Sequence, residues 1–120
     1  MNYNIKGTGL SITPEIRSYV EKRLATLDKF LEDVSSTRAD IELEFLQGEA
    51  KMYRAEIMLR EPGFDIRKSD CRGHGLHEAF DLSAGELFQE LTRTKKKKRQ
   101  LWRRSAVKVK EFLRGWRKDV

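Results

Sequence analysis

The sequence predicts an α+β fold, a β-α-β-β-β-α two-layer sandwich in which two helices cover one face of a four-stranded sheet. Two observations lead to this prediction. Four short segments alternate apolar and polar residues, as half-buried strands do. Two longer segments repeat apolar residues every three to four positions, as amphipathic helices do. In chain order these segments read strand, helix, three strands and helix.

The first strand is predicted in MNYNIKG, through about Lys6, and GTGLS turns the chain. A helix is expected next because Thr13 can cap it and Pro14 suits its first position. Arg23 lies within the apolar stripe of this helix. We expect the aliphatic part of the Arg23 side chain to cover the core, while its guanidinium reaches water or a carboxylate of the sheet. The stripe comprises Ile16, Val20, Leu24, Leu27 and Leu31.

Three further strands are predicted in RADIELEF, MYRAEIML and FDIRKSDC. The first two alternate strongly, which indicates one buried and one solvated face, as in an antiparallel sheet. The third run alternates more weakly. The turns between them are LQGEAK and REPGF, and the second contains the Pro and Gly typical of tight turns.

The second helix is predicted to begin at Leu76, after RGHG. Gly85 lies opposite its apolar stripe and costs about 1 kcal/mol relative to Ala in a helix interior. At Lys97 and Lys98 the stripe becomes charged, so the helix is expected to extend past the edge of the sheet there. The side chains of the lysine run, Lys95 to Lys98, are therefore expected to have no core to cover and to face solvent or a partner. The stripe comprises Leu76, Phe80, Leu87 and Leu91, with Ala79, Ser83 and Ala84 beside it.

The net charge of +6 is distributed very unevenly along the 120 residues. Residues 1–94 contain 13 Lys and Arg against 17 Asp and Glu, whereas residues 95–120 contain 12 against 2. We therefore predict a folded domain over 1–94 and a basic C-terminal extension over 95–120, helical or disordered. Such asymmetry indicates an anionic partner, such as nucleic acid or a lipid surface.

Signals for catalysis, metal binding or membrane insertion are weak. No apolar run reaches the ~20 residues of a membrane span, and the amino terminus lacks a signal-peptide pattern. A single cysteine, Cys71, favours a reducing cytoplasm. Cys71, His74 and His77 cannot complete a tetrahedral zinc shell, because the sequence has no further Cys or His. We expect neither an enzyme nor a metal or cofactor site.

The extension is amphipathic between Trp102 and Trp116, with apolar residues on one helical face and basic residues on the other. This pattern suits three roles. The segment could dock on the protein's own core, lie on an anionic membrane, or follow a phosphate backbone.

Two segments resemble a known family. LSITPEIRSYVEKRLATLDKF is similar to the first-helix region of the bacterial ribosome hibernation-promoting factor and ribosome-associated inhibitor family. LHEAFDLSAGELFQELTRTKKKK resembles the second helix of that family. The resemblance extends over about residues 1–98 and includes the order of the elements. It identifies the chain as similar to the short form of the family.

The resemblance implies a fold like that of double-stranded-RNA-binding domains. It also implies binding to the small ribosomal subunit, in the channel used by mRNA and tRNA, which inhibits translation under stress or in stationary phase. The implied partners are rRNA and ribosomal proteins, with no small-molecule substrate, and the chain is expected to be monomeric off the ribosome. The candidate rRNA-binding residues are Lys22 and Lys29 on the first helix, followed along the chain by Arg72, Arg93, Lys95, Lys96, Lys97, Lys98, Arg99 and Arg103.

The chain departs from the family pattern at several positions. Thr26 replaces a commonly basic residue of the first helix, and Glu86 and Gln89 replace basic residues of the second. Before the second helix, Gly75 and Leu76 replace an Asp-aromatic pair, and His77 stands at the tyrosine position. These departures are consistent with a branch that moved its cations into the extension. The alternatives are a general RNA-binding domain with another target, and a basic module that docks on membranes or proteins.

Overall fold

The computed structural model describes residues 1–95 of the chain. Within this range the chain forms four strands and two α-helices in the predicted order, so the predicted fold class is confirmed. The elements are β1 (Asn2–Thr8), α1 (Pro14–Ala25), β2 (Arg38–Phe45), β3 (Tyr53–Arg60), β4 (Arg67–Gly73) and α2 (76–95).

The strands lie in the sheet in chain order, β1-β2-β3-β4. β1 runs parallel to β2, and α1 makes the crossover between them, whereas β2, β3 and β4 pair antiparallel through turns. Directly paired residues such as Ile41 and Ile57 share one face of the sheet. A shift of one residue would expose both, so the alternation predicted for β2 and β3 determines their register.

The core lies between one face of the sheet and the two helices. Both α-helices supply large apolar side chains to it, the segment after α1 adds Leu27 and Leu31, and the inward positions of β2 and β3 supply the rest. The opposite face of the sheet therefore stays open. The buried members of the core are Val20, Leu24, Leu27, Leu31, Ala39, Ile41, Leu43, Ala55, Ile57, Leu59, Ala79, Phe80, Leu87 and Leu91.

The predicted start of α1 is confirmed. The hydroxyl of Thr13 accepts a hydrogen bond from the backbone N–H of Ile16 at 3.2 Å, and Pro14 is the first helical residue. Thr13 therefore satisfies one of the backbone donors that the first turn leaves without a helical partner.

The end of α1 differs from the prediction. The helix stops at Ala25, and the hydroxyl of Thr26 donates to the carbonyl of Arg23 at 2.6 Å, which competes with continued helical bonding. A 3-10 turn, Asp28–Phe30, follows. The prediction that Lys29 lies on the first helix is therefore wrong, because α1 ends at Ala25 and Lys29 lies in the 3-10 turn.

The end of β4 and the beginning of α2 approach each other at Gly73. A Cβ atom at this position would lie only 2.7 Å from the backbone nitrogen of Ala79 and 3.1 Å from its Cα. Glycine is therefore required there for the helix to pack against the strand. α2 begins at Leu76, as predicted.

β4 begins at Arg67, three residues later than the run FDIRKSDC predicts. Ile66, the only aliphatic residue of that run, lies outside the strand and is exposed. The inward position is taken instead by Arg67, whose Nη1 donates to the Oε1 atom of Glu61 at 3.0 Å. Both side chains are buried, so an ion pair replaces an apolar contact at this corner.

Two further groups converge on the carboxylate of Glu61. The ammonium of Lys95 donates to its Oε2 atom at 2.8 Å, and the backbone N–H of Glu32 donates to the same oxygen at 3.0 Å. Burial alone would raise the pKa of Glu61, but the hydrogen bonds from Lys95, Glu32 and Arg67 together lower it. The carboxylate is therefore held ionised inside the fold.

We expect Glu61→Ala to lower the free energy of unfolding at pH 7 by about 3–5 kcal/mol, because it leaves the buried Arg67 without its counter-ion. Since the pKa of Glu61 is lowered by folding, its contribution is complete above the ordinary value near 4.5 and disappears as the pH falls through the lowered value. Urea unfolding from pH 7 to pH 3 measures both effects.

The matched control is Glu49→Ala, because the Glu49 side chain is exposed and lies 4.0 Å from Arg72. We expect a change within about 0.5 kcal/mol for this variant. Equal losses for Glu61→Ala and Glu49→Ala would contradict a structural role for Glu61.

Candidate nucleic-acid interface

Lys22 and Lys29 are the exposed lysines on the helical side of the domain. Lys22 projects from α1, and Lys29 lies in the 3-10 turn, where its Nζ is 5.3 Å from the centroid of the Phe30 ring. Among residues 1–95 neither lysine makes an ion pair. Their charges are therefore available to an anionic partner.

Arg72 and Arg93 lie elsewhere. Arg72 is on β4 and shares the open face of the sheet with its cross-strand partner Arg54, so the sheet separates it from Lys22 and Lys29. Arg93 is near the end of the described part of α2, is 75% exposed, and has Glu90 at 3.3 Å. Within the described range, the structure does not bring the predicted cations together into one patch.

Lys95 has a structural role that its place in a lysine run did not indicate. Its side chain is only 13% exposed, and besides Glu61 it contacts Glu32 at 3.9 Å. Its Nζ lies 3.7 Å from the centroid of the Phe64 ring, a cation–π contact. The expectation that this side chain has no core to cover and faces solvent or a partner is therefore wrong. Lys96, Lys97, Lys98, Arg99 and Arg103 lie outside the described residues.

Charges on the open face of the sheet compensate one another. Arg54 is the centre of this network, with ion pairs to Glu42 at 2.8 Å, Glu44 at 3.4 Å and Asp70 at 2.8 Å, and a further pair to Glu56. The hydrogen bonds that Arg54 donates to Asp70 and Glu42 raise the pKa of its guanidinium. Because its cations are matched by carboxylates, this face offers little net attraction to a polyanion.

Arg23 joins the two helices. Its Nε donates to Oδ1 of Asp81 at 3.1 Å, its Nη2 lies 3.0 Å from Oδ2, and the hydroxyl of Tyr19 donates to the same carboxylate at 2.7 Å. Burial alone would raise the pKa of Asp81, but the hydrogen bonds from Arg23 and Tyr19 lower it. The sequence predicts that the guanidinium of Arg23 reaches water or a carboxylate of the sheet. Its partner is instead Asp81, which lies on α2, 58 positions away in the sequence.

A surface notch lies between α1 and α2, next to this ion pair. Its volume is about 220 Å³. Its lining combines polar and apolar groups. The lining residues are Arg23, Thr26, Leu27, Asp81, Ala84, Gly85 and Phe88.

The thiol of Cys71 is unsuited to act as a nucleophile at neutral pH. Burial, together with a hydrogen bond to Glu86, raises the pKa of the Cys71 thiol to about 11, so the thiol is protonated at neutral pH. Among residues 1–95, no group of three or more His, Cys, Asp or Glu side chains could hold a metal ion. No helix in the same range is long and apolar enough to cross a bilayer.

Comparison with known proteins assigns the chain to a family. The sequence model of the family described as Sigma 54 modulation protein / S30EA ribosomal protein matches residues 3–99. The chain belongs to the S30EA family. The resemblance noted in the two helical segments is thereby confirmed.

Members of the S30EA family that resemble this chain differ in length. A ribosome hibernation promoting factor of Pseudomonas putida is 24% identical over 108 residues, which is 90% of this chain and 100% of the relative. A ribosome hibernation promotion factor of Bacillus subtilis is 24% identical over 97 residues, 81% of this chain and 50% of the relative. The chain thus spans about half the length of the Bacillus relative.

Solved structures agree with the S30EA assignment. The crystal structure of the Thermus thermophilus Protein Y N-terminal domain has a TM-score of 0.69 and 32% identity, covering 78% of this chain and 99% of that domain. A ribosomal subunit interface protein from Coxiella burnetii has a TM-score of 0.64 at 18% identity, covering 79% of this chain and 98% of that protein. The second comparison shows the fold alone.

The different environments of Lys95 and Lys22 predict different effects of the same substitution. We expect Lys95→Gln to lower the free energy of unfolding by about 1–3 kcal/mol, because it removes a charged donor from the buried Glu61. Lys22→Gln should change it by less than about 0.5 kcal/mol, because Lys22 is exposed and makes no ion pair within the described residues. Urea unfolding of the two variants at pH 7 is the measurement, and equal effects would contradict the assigned roles.

Proposed function

We propose that this chain is a ribosome hibernation factor that binds the small ribosomal subunit and inhibits translation by occupying the channel of mRNA and tRNA. The observation that carries the proposal is the match of residues 3–99 to the S30EA family. The Pseudomonas putida relative, whose whole length aligns with this chain, is named as a hibernation promoting factor. The proposed inhibition results from occupancy of the channel and takes place in the cytoplasm. The chain is proposed to be monomeric off the ribosome and to need no cofactor.

The distribution of charge supports rRNA as the partner. Contacts to phosphate groups position a protein on RNA through spaced cations rather than through a code of bases. Lys22 and Lys29 are two such cations on the helical side, and Arg93 adds a third near the end of the described part of α2. Residues 96–120 carry a further 11 of the 25 lysines and arginines, against two acidic residues.

The first test is competition on the small subunit. We expect the protein to co-sediment with isolated small subunits, and mRNA together with initiator tRNA to displace it, because the proposed site is shared. Sedimentation with increasing mRNA and tRNA measures this displacement. Binding that is unaffected by both ligands would exclude the channel, and equal binding to unrelated structured RNA would favour a general RNA-binding domain.

The control for the helical cations is a pair of matched double variants. Lys22→Gln with Lys29→Gln should weaken binding and lower the slope of log affinity against log salt by about 1.4–1.8, as two lost phosphate contacts imply. Lys6→Gln with Lys68→Gln removes the same charge from the open face of the sheet, where these lysines lie 3.7 Å from Glu42 and Glu56. The second variant should bind as the unmodified protein does.

A truncation tests the extension separately. We expect the chain ending at Lys95 to bind small subunits more weakly and with a lower salt slope, because the removed lysines and arginines no longer displace counter-ions. Lys95 must be retained, since its ammonium contacts the buried Glu61 at 2.8 Å. Titrations at several salt concentrations measure the slope, and circular dichroism checks the fold. An unchanged affinity and slope would show that the extension takes no part in binding.

A further inference from the structure

The notch between α1 and α2 combines hydrogen-bonding groups with an exposed aromatic ring. The guanidinium of Arg23 holds Asp81 through Nε and Nη2 and keeps further N–H groups. The hydroxyl of Thr26 donates to the carbonyl of Arg23, so the lone pairs of its oxygen can still accept a bond. The ring of Phe88, which also lines the notch, is 40% exposed and is supported edge to face by Phe30, with the two ring centroids 5.2 Å apart.

Gly85 borders the notch without a structural reason. A Cβ atom built at Gly85 meets nothing within 4 Å, in contrast to Gly73, where it would collide with the backbone of α2. Its helical conformation is one that any residue adopts. Glycine is among the least favourable residues in a helix interior. Alanine at position 85 would therefore give a more stable helix. Glycine instead leaves room for a molecule to approach the backbone closely in the notch.

Cations stand on both sides of the notch. Lys22 precedes Thr26 by one helical turn, so the two side chains leave α1 on the same side. Lys29 lies over the ring of Phe30, which in turn contacts Phe88. A nucleotide whose base entered the notch would thus have an ammonium group near its phosphates on either side.

We propose that this notch binds a single unstacked nucleobase of RNA, held by stacking on Phe88 and by hydrogen bonds to Arg23 and Thr26. The volume of about 220 Å³ lies below the range of about 300–1,000 Å³ typical of drug-sized ligands, and it suits one planar ring system. RNA-binding proteins commonly hold unpaired bases in this way, on aromatic rings beside polar side chains. The inference rests on the proposed function and adds a base contact to the phosphate contacts of Lys22 and Lys29.

The decisive variants either fill the notch or remove its aromatic ring, and neither changes the net charge. Gly85→Leu should raise the melting temperature, since leucine is a better helix former. It should nevertheless weaken binding to small subunits roughly tenfold, because its side chain occupies the place of the base. Phe88→Ala should weaken binding by a similar factor. In both variants the salt slope should stay unchanged, because no phosphate contact is lost. Gln89→Leu places the same leucine side chain at an exposed position of α2 outside the notch and serves as the control.

Two measurements on the full chain separate the possible failures. Wild-type affinity of Gly85→Leu for small subunits would overturn the notch and leave the proposed function standing. If even the unmodified chain fails to bind subunits, the proposed function fails. Titration with a short single-stranded RNA, followed by amide shifts of Thr26, Gly85 and Phe88, then decides the notch: local shifts support it, and their absence overturns it.

The chain's own extension is the competing occupant, and it contains both tryptophans, Trp102 and Trp116. A base-binding notch predicts that Gly85→Leu leaves the tryptophan emission of the RNA-free protein unchanged. A shift of this emission towards that of solvent-exposed indole would show that the extension fills the notch, and would overturn the proposal.

Discussion

The buried carboxylate of Glu61 joins three separate parts of the chain through hydrogen bonds. It accepts hydrogen bonds from Arg67, the first residue of β4, and from the backbone N–H of Glu32 in the segment after α1. It also accepts one from Lys95, at the end of the described part of α2. A buried charge is costly unless its partners surround it, so each of these segments must be in place for the others to be stable. Glu61 therefore makes the position of α2's end dependent on the sheet and on the loop after α1.

Much of the fold was predictable because its signals are local. The cap at Thr13, the proline that follows and the alternation in β2 and β3 depend on residues within a few positions of one another. The late start of β4 was not predictable in this way. Its inward position at Arg67 is polar, and that polarity is compensated only by a partner from the preceding turn, which periodicity cannot reveal.

The candidate site was less predictable than the fold, since a sequence counts charges without showing which are neutralised. Lys95 and Lys22 are the same residue type in the sequence, yet Lys95 packs against the buried Glu61 and Lys22 is exposed. Arg23 stood out as a cation inside an apolar stripe, but its partner Asp81 is 58 residues away. The sequence indicates that Gly85 lowers helix stability, but the open space beside it is evident only in the structure.

The arrangement of charge also limits how a polyanion can approach the domain. The exposed surface of α2 carries Glu78, Glu86 and Glu90, and the open face of the sheet is neutralised around Arg54. Lys22 and Lys29 lie on and just after α1, and Arg93 lies near the end of the described part of α2. Under the proposed function, rRNA would therefore be repelled from the exposed carboxylates of α2 and attracted to α1, its following turn and the basic extension. The interhelical notch borders this attractive region, because Thr26 and Phe88 connect it to Lys22 and Lys29 respectively.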